Sequence, residues 1–300
     1  MKPETVEHRK PPTIAAIVVT FNRLTLLQEC IAALRAQTRK VDEIIVVNNG
    51  STDGTAEWLA QQPGLTVVTQ ENLGGGGGQR TGIKLAYEKG HDWYWCMDDD
   101  TIPHADALQV MEASPKFHDA RTGFLSSLAY WTDGSPHVMN IQRPDSAVKW
   151  AHRVLDERSI PIVEASFVSL LLNRQTVKEV GLPIKEFFVW GDDIEYTRRI
   201  TKNRVGYLIL DSHVTHKTRE NIGFAWDTPG RDVSLKHRYG ARNQLHLMRK
   251  QATSAYMRFR ITETYLRHML VRVLRRKTPF SIFWWSLRGI WFSPKVEHVQ

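Results

Sequence analysis

The patterned part of the chain begins with a continuous apolar run, residues 14–20 (IAAIVVT), rich in β-branched side chains. It has the length of a strand covered on both faces. Residues 24–37 change period: Leu27, Ile31 and Leu34 recur three to four apart and predict a helix with one apolar stripe. A second buried strand is predicted over 43–47. It is followed by a polar turn at 48–55 (NNGSTDGT), a short helix near 56–61 and a third strand over 65–69. A glycine run at 74–78 precedes a helix predicted from about 80 to 89, and the aromatic run Trp93-Tyr94-Trp95-Cys96-Met97 reads as another strand. Strand and helix alternating in this rhythm predict a parallel α/β sheet, where ligands gather beyond the C-terminal ends of the strands. The polar stretches 20–23, 48–53 and 98–100 all fall at that end.

Beyond residue 100 the alternation loosens. A helix is expected over 103–111, a strand over 123–130, loop over 131–156, and strands over 163–172 and 205–210, the last followed by His213 and His216. Residues 185–199 (KEFFVWGDDIEYTRR) set aromatics and a glycine turn before an acidic helix start. Asp192 as N-cap with Glu195 three residues on makes a capping box, which accounts for two of the acids structurally. Asp193 is left over beside Trp190, and an indole next to a carboxylate suits a sugar platform with a base.

Composition narrows the classes. Three hundred residues with 42% apolar side chains suffice for one large domain, or a catalytic domain with an appendage. Cys30 and Cys96 both sit in apolar sequence, so a disulfide framework is not expected and a reducing compartment is. Residues 1–12 are polar and lack the apolar core of a signal peptide, and no run of about eighteen apolar residues spans a membrane. The net charge of +8 is uneven: residues 255–300 carry nine Lys and Arg against two Glu, while the rest is nearly neutral. A nucleic-acid-binding body is therefore not expected, and a local anionic partner for the tail is. Residues 255–277 predict an amphipathic helix with Ala255, Phe259, Leu266, Met269, Leu270 and Val273 on one face and arginines around it. An aromatic cluster including Trp284, Trp285 and Trp291 follows. Such a segment suits an anionic membrane surface, or packing on the protein's own body or a second subunit.

The chemistry concentrates at Asp98-Asp99-Asp100. In an extended backbone Asp98 and Asp100 point one way and Asp99 the other, so two carboxylates can share a divalent cation, Mg²⁺ or Mn²⁺. Turns and caps also use aspartate, but three adjacent like charges repel without a counter-ion. The glycine run fits neither the P-loop nor the dinucleotide pattern. It is either a flexible loop or a backbone that approaches a phosphate or sugar closely, with helix N–H groups and Arg80 facing negative charge. A lone pair of histidines is more often structural than metal-binding, and proximity to the aspartates would decide.

In order and spacing, the motifs IVVTFNR (17–23), VNNGSTDGT (47–55), MDDD (97–100) and WGDDIEY (190–196) resemble the family 2 inverting glycosyltransferases with a GT-A fold. The likeness covers about residues 13–220. The segment 72–82 (NLGGGGGQRTG) with the triple aspartate is most similar to galactofuranosyltransferases, rhamnosyltransferases being next, and Tyr239-Gly-Ala-Arg-Asn243 is similar to a motif near the end of many such enzymes. The resemblance implies a GT-A domain over 13–225, after a polar tail and before a basic, aromatic, membrane-associating helical region over 226–300. It implies that Thr20 and Asn49 lie against uracil or ribose and Arg80 near the nucleotide. Asp98 is shared between nucleotide and metal, with Asp99 and Trp190 also at the nucleotide-sugar. Asp100 and His216, or else His213, complete a Mn or Mg site. Asp193 is the general base, with Asp192 at its side. The implied activity is transfer of a sugar, best galactofuranose from UDP-galactofuranose, to a hydroxyl of a glycan or lipid-linked glycan at the inner face of the cell membrane, by a peripheral protein for which a second copy of the chain is a further candidate partner. Many relatives carry Asp where this chain has Asn49. Rhamnosyl or hexopyranosyl transfer, and a metal-dependent nucleotidyltransferase or hydrolase, are the alternatives.

Overall fold

The computed structural model describes residues 10–147, 154, 157–223 and 234–300, so most of the expected polar tail and the expected boundary at 225/226 lie outside the described residues. Ten strands form one sheet among them: β1 (Ile14–Thr20), β2 (Glu43–Asn48), β3 (Leu65–Thr69), β4 (Trp93–Asp98), β5 (Thr101–Pro103), β6 (Thr122–Tyr130), β7 (Arg143–Pro144), β8 (Ser159–Glu164), β9 (Leu170–Asn173) and β10 (Val205–His216). Their order is β3-β2-β1-β4-β9-β6-β10-β8-β7, with β5 paired to β10. The first four strands are parallel, as the alternation predicts. Beyond β4 the sheet is mixed, as a GT-A fold implies: β9 runs antiparallel to both β4 and β6, while β6 and β10 are again parallel.

Period-two alternation sorts the buried strands into two layers. Ile17 and Val19 of β1, with Tyr94 and Cys96 of β4, face the layer that includes Ile83 of α3 (Gly74–Glu88). Ala16, Val18, Trp95 and Met97 face the other, where Leu27, Ile31 and Leu34 of α1 (Leu24–Arg35) pack as their spacing predicts. The short helix α2 (Thr55–Ala60) follows β2.

Four expectations are corrected. The glycines do not form a loop before a helix; they are its first turns, since α3 starts at Gly74. Glycine there permits close approach to the sheet: a Cβ at Gly78 would lie 2.4 Å from Val19, and one at Gly82 2.2 Å from Ile17. The strand expected over 163–172 is two, β8 and β9, separated where Ser169 takes a left-handed φ of 60°. The strand expected to end at Leu210 continues through a register shift between Ile209 and His213, so both histidines lie within β10. The helix expected over 103–111 is Ala107–Ala113, because Thr101–Pro103 pair with β10.

The C-terminal helices, Leu235–Lys250, Ala255–Leu274 and Phe280–Arg288, pack against one another through Ala241, Leu245, Tyr265, Met269 and Ile282. The predicted single apolar face of the second helix is thereby divided. Met269 is fully buried, whereas Phe259 and Leu270 are exposed.

Candidate active site

The sheet pairings assemble the acidic centre. The β1–β4 register places Val19 beside Asp98, and period two turns Asp98 to the side of Tyr94 and Cys96, under α3. There the Gln79 amide donates to the Met97 carbonyl (3.0 Å) and to Asp98 Oδ1 (3.4 Å). The β5–β10 pairing sets His216 opposite Thr101 and so next to Asp100. His216 Nε2 lies 3.1 Å from Asp100 Oδ1, and Nδ1 lies 2.6 Å from Asn140 Oδ1. The His216 ring faces His137 at 4.4 Å between centroids. His213 is turned elsewhere, 2.9 Å from the Leu210 carbonyl and edge-on to Tyr130. Between the two histidines the fold therefore selects His216.

Electrostatics separate the three aspartates. Burial and the neighbouring Asp100 push Asp98 above the ordinary carboxylate value. Burial and Asp100 likewise raise Asp99, to about 7. Burial also opposes ionisation of Asp100, but His216 and the Arg23 guanidinium outweigh it and hold this carboxylate at about 2. Arg23 forms an ion pair with Asp100 and a longer one, 3.5 Å, with Asp99.

The facing wall is residues 188–194. Phe188 and Trp190 have φ of 66° and 65°, left-handed values that bulky side chains rarely adopt, and Gly191 follows at 95°. Gly191, not Asp192, precedes the helix Asp192–Ile200, and no side chain caps it. The expected capping box is absent because Asp192 is already the first helical residue. The strained backbone is held by Asn243, whose amide donates to the carbonyls of Phe187 (2.9 Å), Val189 (3.0 Å) and Trp190 (2.9 Å). Burial and the adjacent Asp193 raise Asp192 well above the usual carboxylate range. Burial also raises Asp193, which accepts the Ile194 N–H at 2.7 Å.

These walls enclose a cavity of about 300 Å³. Asp98, Asp100, His216, Trp190, Asp192 and Asp193 all line it, on elements distant from one another in sequence. The remaining expected residues are placed differently. Thr20 is buried and donates its hydroxyl to Asp99 (2.8 Å), so both are spent on the β1–β4 strand ends. Asn49 is buried, donating to the Gly74 carbonyl and accepting from Gln70. Arg80 does not reach the cavity; it forms an ion pair with Glu297 near the C-terminus. Arg23, Gln79 and Asn140 line the cavity without having been singled out, as do Lys236 and Gln244 from the helix Leu235–Lys250. The strand-end rule flags the stretch containing Arg23, but nothing local marks the others.

A divalent cation is tested by the donor set. Two carboxylates and an imidazole are the oxygen and nitrogen donors that Mg²⁺ and Mn²⁺ accept, and the mutual repulsion of Asp98 and Asp100 is what a cation relieves. The chemistry fits, although among the described residues no three such side chains are gathered around one point and Arg23 sits against Asp100.

A parallel half-sheet ending in carboxylates, closed by an antiparallel strand and an acidic helix start, is the GT-A glycosyltransferase architecture. The chain superposes on TarS residues 1–349 of Staphylococcus aureus, solved with UDP, at a TM-score of 0.54 and 14% identity, over 86% of this chain and 70% of that one. It superposes on GalNAc-T7, solved with UDP, GalNAc and Mn²⁺, at 0.56 and 13%, over 84% and 55%. Residues 15–124 match the model of glycosyl transferase family 2. Galactofuranosyltransferase GlfT1 of Mycobacterium tuberculosis is 31% identical over 222 residues, 68% of this chain and 70% of the relative. The Mycolicibacterium smegmatis protein of the same name is 28% identical over 275 residues, 82% and 88%. The chain belongs to glycosyl transferase family 2, and it is a glycosyltransferase.

Proposed function

We propose that the protein transfers galactofuranose from UDP-galactofuranose, with inversion, to a hydroxyl of a glycan or lipid-linked glycan. The observation that carries this is the meeting of Asp98 and Asp100 with Asp193 across one cavity. The relatives that align along most of the chain are named galactofuranosyltransferases, which supports the choice of sugar. Asp98, Asp100 and His216 would hold a Mn²⁺ or Mg²⁺ ion, which when bound offsets charge on the departing nucleoside diphosphate. Asp193 takes the proton of the acceptor hydroxyl as its oxygen attacks the anomeric carbon. The bond to the diphosphate breaks on the opposite face, so one displacement inverts the centre. Trp190 supplies an apolar face for a sugar ring, and Arg23, already against Asp100, adds positive charge on the donor's side.

The acceptor is reached at an anionic membrane surface on the cytoplasmic side. Exposed Phe280 (63%), Trp284 (53%) and Trp291 (77%), which follow Arg275, Arg276 and Lys277 in the sequence, support this, and no described helix is long and apolar enough to cross a bilayer. A donor panel tests the assignment: UDP release should require an acceptor and a divalent cation, be abolished by chelation, and be fastest with UDP-galactofuranose. Faster turnover with UDP-galactopyranose or dTDP-rhamnose would discard the sugar; undiminished activity in chelator would discard the metal.

A further inference from the structure

The helix that supplies Gln79 to the site is weak by composition. The first five residues of α3 are glycine; Gly74 takes a left-handed φ of 72°, and inside a helix a glycine costs roughly 1 kcal/mol of propensity relative to alanine. Such a helix keeps its position only if other elements hold it. Its first turn is held by Asn49 on the Gly74 carbonyl and by the Gly76 N–H on the Phe188 carbonyl. One turn further on, Arg80 and Lys84, four residues apart on the same side, both pair with Glu297. Arg80 is the immediate neighbour of Gln79.

Glu297 is itself anchored. Its carbonyl accepts the Leu182 N–H at 2.8 Å. Val296 packs with Phe187 and Leu247, and Val299 packs against the core beneath α3. The Phe292 carbonyl meets His246 Nδ1 at 2.8 Å. The last residues of the chain thus cross from the 181–187 segment, which leads into Trp190 and Asp193, to the flank of α3.

We propose that Glu297 is a positioning residue for sugar transfer: from the C-terminal strap it fixes α3, so that Gln79 stays on Asp98 and Gly75 stays at the cavity wall. Exposed or half-exposed ion pairs contribute little to global stability, so its effect falls on geometry rather than on melting. The idea rests on the transferase reading with a UDP-sugar donor, and amide exchange tests the strap without it.

The variants are Glu297→Gln and the charge swap Arg80→Glu/Lys84→Glu/Glu297→Arg in the full chain, with truncation after residue 294 as a second approach. Expected for Glu297→Gln is a fall in kcat of roughly tenfold to a hundredfold, the scale of a small misplacement. KM for the acceptor should hold, Tm should shift by no more than a few degrees, and amide exchange should quicken over residues 74–80. The swap should recover most of the rate. Unchanged exchange at 74–80 in both Glu297→Gln and the truncation would overturn the strap. Faster exchange with unchanged kcat, or a rate loss the swap does not recover, would overturn the positioning role.

Discussion

The side-chain amide of Asn243 donates to the carbonyl of Trp190 at 2.9 Å, tying a helix near the C-terminus to the wall that carries the proposed base. The same amide nitrogen also reaches the Phe187 and Val189 carbonyls, so its two N–H groups are shared among three oxygens around the left-handed residues Phe188 and Trp190. Asn243→Ala should cost about 1–3 kcal/mol, the penalty for buried polar groups left unpaired, and slow transfer. Asn243→Asp should be worse, because a carboxylate would face three carbonyl oxygens. Thermal melts and turnover of the two variants check this ordering; an Asn243→Asp protein that melts and turns over like wild type would refute the clamp.

Asp193→Asn preserves shape but cannot accept a proton. Turnover should fall by roughly 10²–10⁴ while UDP affinity, read by calorimetry, changes little. Because burial raises Asp193 above the ordinary carboxylate value, the base is ionised only at higher pH. The rate of the wild type should therefore climb with pH on a limb displaced above about 4, and the limb should vanish in Asp193→Asn. Greater damage from Asp192→Asn would move the role to its neighbour.

Asp192 tests the opposite side of the same burial. Its folded-state value is raised, so its contribution to stability is present at low pH and is lost as pH rises through that raised value. No side-chain partner compensates among the described residues. Asp192→Asn should accordingly raise Tm at pH 8 more than at pH 4. Equal shifts at both pH values would show that Asp192 carries no such penalty.

The glycines of α3 divide by what lies opposite them. A Cβ at Gly75 meets nothing within 4 Å, so Gly75→Ala should stabilise by about 1 kcal/mol through helix propensity. A Cβ at Gly82 meets Ile17 at 2.2 Å, so Gly82→Ala should destabilise by about 1–3 kcal/mol. Gly75 lines the cavity, and its alanine variant should also bind UDP less tightly. Melting curves and UDP titration read both effects, and a stabilised Gly75→Ala with unchanged UDP affinity would separate that glycine from the donor.

Sequence alone determined the parallel half of the sheet and the elements that carry its acids. Buried β-branched strands and amphipathic helices are local patterns, but the strand ends at Asp98, so the turn at 99–100 rather than period two sets Asp99 on Thr20 and Asp100 on His216. What sequence left open was set by distant pairings. His216 rather than His213 reaches Asp100 because β5 pairs with β10 across a register shift that no local pattern displays. Arg80 turns from the cavity because Glu297, 217 residues away, offers a closer charge, and Gln79 takes the inward position. Asp192 loses its expected capping role because Asn243 holds the preceding backbone in a left-handed turn. A side chain's partner across the sheet or across the chain is a property of packing, and only the tertiary structure supplies it.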